Sequence, residues 1–285
     1  MSLRCSRSMA ASEAFTGRLR EEGMTAPAAD AKCDLFRQAL AALPADAVED
    51  GQPYMLFVPG RIEVLGKHTD YAGGRSLLAA VERGFCVAAI PRGDGRVTVI
   101  DAKQGRRVNF TLDANLVGTP GDWSAYPMTV ARRVARNFPG RLRGADIAFL
   151  SDLPPASGMS SSSAMMIAVF KVLEHVNSLL ARPEARGVIR GPEDLAGYLA
   201  TIENGRSFGT LTGDRGVGTF GGSEDHTAIC CCRAAHLQQY SFCPTRRERV
   251  LSMPPGFCFA VAYCGVLAEK TGAAMGKYNR ASQLV

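Results

Sequence analysis

The stretch from Leu153 to Ala181, LPPASGMSSSSAMMIAVFKVLEHVNSLLA, constrains the fold more than any other part of the chain. Pro154 and Pro155 deny a helix to what precedes them, and Gly158 permits a tight turn. Four serines then lead into an apolar run at helical spacing. The first turn of such a helix leaves its N–H groups unpaired and carries the positive end of the helix dipole. An anion such as phosphate can settle there, and small residues let it come close. The candidate cradle is Gly158, Met159, Ser160, Ser161, Ser162 and Ser163. An ordinary N-cap is the competing reading, because serine before an apolar run is common.

A second motif lies upstream, PGRIEVLGKHTDYAGG from Pro59 to Gly74. With LPPASGMSSSSA it resembles the GHMP-type small-molecule kinases, which include galactokinase, homoserine kinase, mevalonate kinase and phosphomevalonate kinase. The galactokinase branch has a sugar signature of the form GRxNLIGEHTDYxxG. The resemblance runs from about Tyr54 to the last residue and weakens between Arg182 and Gly222. It implies an α+β chain with the GHMP kinase fold, an N-terminal kinase domain over 31–252 and the start of a second domain over 253–285, whereas residues 1–30, rich in alanine and charge without a firm period, read as a loosely held extension. The glycine-rich loop that covers the nucleotide in such enzymes does not occur here, so the chain is expected to represent part of such a protein.

Composition limits the alternatives. Of 285 residues, 46% are hydrophobic and 21% charged, as in an ordinary globular protein. The net charge of +6 is mild and forms no long basic block, so no nucleic-acid partner is suggested. No apolar run is long enough for a membrane span, and the arginine-rich start lacks a signal-peptide apolar region. Nine cysteines show no metal-ligand spacing, and Cys230, Cys231 and Cys232 are consecutive. A reduced, cytoplasmic setting is the expectation.

Read in order, Cys33 to Leu43 is predicted as the first helix and Tyr54 to Val58 as a strand. Pro59 and Gly60 are expected to end that strand and place Arg61 at the mouth of a turn. LLAAVE, FCVAAI, RVTVID and RVNFT read as strands separated by glycine turns, and Trp123 to Phe138 as an amphipathic helix. Ala145 to Leu150 is a strand that delivers the chain to the serine loop. Glu193 to Asn204 is a helix, and Gly205 to Gly222, with seven glycines, a mobile loop. His236 to Met253 reads as a hairpin, Phe257 to Tyr263 as a strand, and Glu269 onward as a helix.

Phosphoryl transfer needs a phosphate loop, a magnesium ligand, a cation and a carboxylate near the acceptor hydroxyl. The resemblance implies all four. Ser162 and Glu203 would hold Mg²⁺ beside ATP, through the oxygen donors that ion prefers; a solvated helix end is the other reading of Glu203. Asp225, in GGSEDHTAI, is similar to the aspartate of the GIMDQ segment and would be the catalytic base or an orienting group. Arg61 matches the arginine of GRxN and would steady Asp225 and the transferring group. Lys67, His68, Asp70 and Gly74 fall in the sugar-contacting segment. Tyr278 would close over the sugar, with a structural tyrosine as the alternative.

Two departures bear on substrate. Lys67 stands where galactokinases carry glutamate, which would favour an anionic sugar if it faces the acceptor; a lysine turned to solvent or paired with Asp70 is the alternative. Ala156 replaces a loop glycine. The implied activity is ATP-dependent phosphorylation of a monosaccharide, galactose or a related sugar at its C1 hydroxyl. The rival is a catalytically silent sugar-binding or regulatory relative. A serine hydrolase is a weaker third reading, since the G-x-S-x-G elbow is missing.

Overall fold

The computed structural model describes residues 2–4, 9–45, 53–119, 121–154, 158–254, 256–262, 276 and 279–280. Its frame is a mixed sheet whose strands are β1 (Ser2–Arg4), β2 (Tyr54–Leu65), β3 (Arg75–Pro91), β4 (Arg96–Asp101), β5 (Arg106–Thr111), β6 (Ala145–Ser151), β7 (His236–Ser241) and β8 (Arg246–Ser252). The order is β1-β2-β3-β6-β4-β5, with β7 and then β8 continuing from β3. β4 and β6 run parallel, whereas the other pairs are antiparallel. The long β3 is the axis. Its first residues, Arg75 to Leu78, pair with β7, and Phe85 to Pro91 pair with β6.

The helices are α1 (Met9–Glu21), α2 (Ala26–Ala42), α3 (Ala125–Asn137), α4 (Ser161–Asn177), α5 (Pro192–Asn204) and α6 (Glu224–Cys231). Side chains alternate across a strand, and the strands here carry apolar residues on both faces, so both faces must be covered. Met55, Phe57 and Cys86 pack with Phe15, Leu19 and Phe36 of the first two helices. Leu56, Val58, Val87, Val99 and Ile147 turn the other way, against Val130 and Val134 of α3 and Met166, Phe170 and Leu173 of α4. Each such large side chain contributes about 1.5–3 kcal/mol when fully buried. α4 is buried along most of its length because it lies in the same core as α3, α5 and the sheet.

Several expectations need correction. Residues 9–30 are not a loosely held extension, because α1 and the start of α2 lie there and bury Phe15, Leu19 and Ala29. β2 does not stop at Pro59. It continues to Leu65 through a register shift between Pro59 and Arg61, so Arg61 is a strand residue opposite Ala80. β1 pairs only with Tyr54 to Leu56, which leaves Pro59 on an edge where a missing N–H costs no ladder bond. LLAAVE and FCVAAI are one strand. Gly84 sits inside it opposite Pro59, where a Cβ would come within 2.2 Å of the Val58 carbonyl oxygen. That glycine marks a close backbone approach rather than a turn.

The hairpin of β7 and β8, the strands β4 to β6, and helices α3 and α5 fall where the sequence places them. The expected strand at Phe257 does not form over residues 257–262, which are irregular and exposed, with Phe257 74% and Val261 51% accessible. A strand needs a partner for its backbone groups, and β pattern alone does not supply one. Tyr263 and most of the expected last helix lie outside the described residues.

Candidate active site

Arg61 is directed by the irregular step in β2 toward two other predicted site elements. Its Nε and Nη2 donate to Asp225 Oδ1 at 2.7 and 2.6 Å, and its Nη1 donates to the Gly158 carbonyl at 2.7 Å. One guanidinium therefore joins the first turn of α6 to the loop that opens α4. Both partners remain reachable, with side chains 12% and 18% exposed. Burial disfavours the charge on Arg61, but the charge and hydrogen bond of Asp225 more than offset it and hold its pKa above the ordinary value.

The serine loop supplies a helix N-terminus with an unusual entry. Ser160, the N-cap of α4, has φ 59°, in the left-handed region that non-glycine residues seldom adopt. Its hydroxyl is buried without a hydrogen-bond partner among the described residues. An orphaned hydroxyl at a helix N-terminus suits an anion's oxygen. One turn on, Ser163 is fully buried and donates to Glu203 Oε2 at 2.9 Å, with His226 Nε2 at 3.5 Å from the same oxygen. The sequence reading gave Ser162 and Glu203 to one magnesium ion; in the fold Ser163 meets the Glu203 carboxylate and Ser162 sits half-buried beside it. Successive helical residues point about 100° apart, so the two hydroxyls leave the helix in different directions and Ser163 is the one hydrogen-bonded to Glu203.

Glu203 is the penultimate residue of α5, which Gly205, with a φ of 85°, closes by its N–H on the Thr201 carbonyl. The following glycine-rich stretch is irregular, as expected, but it is packed: Leu211 and Asp214 are buried, and Asn204 Nδ2 donates to the Gly221 carbonyl. Tyr278 lies outside the described residues. Its neighbour Asn279 holds the same stretch, accepting from the Phe220 N–H and donating to the Gly218 carbonyl.

The segment with the sugar-signature pattern follows β2. His68 has φ 58° and is exposed, and Lys67 is exposed as well, with no ion pair to Asp70 among the described residues. Gly74 packs against Thr69, where a Cβ would lie 2.4 Å from Thr69 Cβ, and its carbonyl accepts the Phe242 N–H. Asp70 is buried and accepts the Glu224 N–H on Oδ2 at 3.0 Å, which caps α6. Burial raises its pKa, partly countered by that bond and reinforced by the charge of Asp225.

Sequence reasoning missed Glu63, Glu224 and His226. Glu224 is 5% exposed, and its Oε2 accepts from Ser76 Oγ at 3.1 Å. Burial, then a hydrogen bond with Glu63 and the charges of Glu63, Asp70 and Asp225, push its pKa up to about 9. Such a shift favours the neutral acid near neutral pH. The signal was present: Glu63 stands at the asparagine of GRxN and Glu224 at the methionine of GIMDQ.

A family model of the galactokinase galactose-binding signature matches residues 47–91, and one of the GHMP kinase N-terminal domain matches residues 125–213. A galactokinase of Chloroflexus aggregans is 41% identical over 125 residues, covering 42% of this chain and 32% of that protein. One of Glaesserella parasuis is 32% identical over 126 residues, covering 44% and 32%. The chain thus spans about a third of the length of the curated relatives it matches. Among solved structures, Lactococcus lactis galactokinase complexed with galactose is similar with a TM-score of 0.56 at 23% identity, over 70% of this chain and 46% of that one. That likeness shows the fold: an α+β arrangement of the GHMP kinase type. No helix among the described residues is long and apolar enough to cross a membrane.

Proposed function

Because this chain carries the galactokinase galactose-binding signature and a GHMP kinase N-terminal domain, we propose that it is the sugar-site and phosphate-loop portion of an ATP-dependent sugar kinase. The substrate is galactose or a related monosaccharide, phosphorylated at C1, in a cytoplasmic setting. The kinase unit runs to residue 252 and includes α1, β1 and the whole of α2, which pack on its sheet, and residues 253–285 open a second one. The observation that carries this reading is the Arg61 guanidinium, which holds Asp225 and the Gly158 carbonyl together at 2.6–2.7 Å.

In the proposed reaction the acceptor oxygen forms a bond to the γ-phosphorus, the bond from that phosphorus to the bridging oxygen breaks, and ADP leaves. Asp225 accepts the acceptor proton or orients the hydroxyl. Arg61 stays charged throughout, keeps the carboxylate oriented, and offsets negative charge on the transferring group. The α4 N-terminus, with the Ser160 hydroxyl, receives phosphate oxygens. Asp70 and His68 border the acceptor, and Asp70 also fixes the backbone from which Asp225 projects.

Magnesium fits the donor set at the start of α4 and the end of α5. The Glu203 carboxylate and the Ser162 and Ser163 hydroxyls are hard oxygen donors beside an anion site, and Mg²⁺ fills its remaining positions with water and phosphate. The ion would neutralise phosphate charge. Ser163 holds the Glu203 carboxylate toward that position.

Asp225→Asn preserves shape and removes the base. Turnover should fall by about 10²–10⁴-fold while galactose affinity, measured by calorimetry, stays within a few-fold. Near-normal turnover would remove Asp225 from the chemistry, and loss of sugar binding in the unmodified protein would remove the sugar kinase reading.

A further inference from the structure

Arg132 and Arg133 are consecutive residues of α3, yet both are buried, at 3% and 0% exposure. Adjacent helical residues point in different directions, so burying both needs polar partners on two sides. Asp214, 5% exposed, supplies one, with Oδ2 at 2.6 Å from Arg132 Nε and Oδ1 at 3.3 Å from Arg133 Nη2. Most of the other donors go to backbone, Arg132 to the carbonyls of Leu116 and Gly216 and Arg133 to those of Thr201 and Arg206, while Arg133 Nε is buried with no hydrogen-bond partner among the described residues.

These contacts converge on the end of α5. The Thr201 carbonyl is taken by Arg133 and by the Gly205 N–H, the Glu203 carbonyl by the Val217 N–H at 2.9 Å, and the Gly205 carbonyl by the Asp214 N–H at 2.9 Å. Gly216 backs Glu203 so closely that a Cβ would come within 2.3 Å of its carbonyl oxygen. The residue whose carboxylate meets Ser163 is thus gripped at its backbone and on either side from the segment that carries Asp214.

We propose that Asp214, with Arg132 and Arg133, is a positioning unit that sets the Glu203 carboxylate for a nucleotide-bound divalent ion. This rests on the phosphate-site reading above. Replacing a buried ion pair by apolar residues is often neutral or stabilising, so cohesion alone does not account for this one. Outer partners of metal-binding groups typically change metal affinity about 10- to 100-fold when removed.

The test uses the full chain with Mn²⁺ and the non-hydrolysable ATP analogue AMPPNP, read by water proton relaxation, and galactose affinity by calorimetry. Asp214→Asn should weaken nucleotide-dependent Mn²⁺ binding about tenfold and leave galactose affinity within twofold. A folded Asp214→Asn protein with unchanged Mn²⁺ affinity, or with both affinities reduced alike, overturns the proposal. Should Asp214→Asn fail to fold, the unmodified chain decides. Coupling is reciprocal, so saturating Mn²⁺·AMPPNP should slow exchange of the Gly205, Asp214 and Val217 amides, and no change at those three overturns it. If the unmodified chain binds no Mn²⁺·AMPPNP, the phosphate-site reading itself fails, a result distinct from the others.

Discussion

Two arginine–aspartate centres in this molecule use the same chemistry in different surroundings. Arg61 and Asp225 meet at a place where both side chains are still partly accessible, with Asp70, Glu63 and Glu224 crowded around one guanidinium. Arg132, Arg133 and Asp214 meet in the interior, where two guanidiniums share one carboxylate and spend most of their other donors on backbone carbonyls. In the first centre negative charge is in excess. In the second, positive charge is. An ion pair that keeps a wet edge can exchange its partner for a reacting group, whereas one sealed on all sides can only hold its neighbours in place.

The sharpest way to break the contrast is to remove each aspartate in turn. Asp214→Ala leaves two buried guanidiniums without a countercharge and should cost about 3–5 kcal/mol. Asp225→Ala should cost no more than about 1.5 kcal/mol, because Arg61 can be rehydrated and repulsion with Asp70 is relieved. Urea unfolding midpoints of the two variants measure this, and equal losses would erase the distinction.

A smaller effect concerns the acid excess at the accessible centre. The folded-state pKa of Glu224, about 9, lies above the ordinary value of 4.5. Between those values the unfolded chain releases a proton that the folded chain retains, so this group's contribution is full below about pH 4.5 and is lost as pH rises toward 9. Glu224→Gln mimics the neutral acid. Its melting temperature should therefore fall less than that of the unmodified protein between pH 5 and pH 8.5, and parallel curves would show that Glu224 is ionised in the fold.

The smallest effect is expected at Lys67. Its side chain is exposed, as in the solvent-facing reading of this residue. Lys67→Glu should alter the ratio of galactose to galacturonate affinity by no more than about twofold, within the range of an isolated surface change. A larger shift toward galactose would place Lys67 over the acceptor and extend the charged surroundings of Arg61 outward.

Much of this was legible because it depends on local pattern. Alternation and helical spacing located β4, β5, β6, α3 and α5, and the serine run located the head of α4. What sequence could not show depends on pairing across distance. Pro59 reads as a strand end until the partner strand is seen to place Gly84 opposite it. FCFAVAY reads as a strand until residues 257–262 are seen without a partner. Ser162 and Ser163 are equivalent in a string of serines, and only the approach of α5 separates them. Asp214 carries no motif at all, since its meaning lies in two arginines on another helix.

The candidate site also has a kinetic consequence. Its contacts join residues far apart in the chain: 164 positions separate Arg61 from Asp225, 97 separate Arg61 from Gly158, and 40 separate Ser163 from Glu203. Loop closure must precede such contacts, and chains rich in them fold slowly compared with helical bundles of similar size. No short segment can rehearse the geometry. During synthesis the serine loop therefore emerges long before α6, and a ribosome-bound chain displays the head of α4 without the Asp225 carboxylate that Arg61 binds.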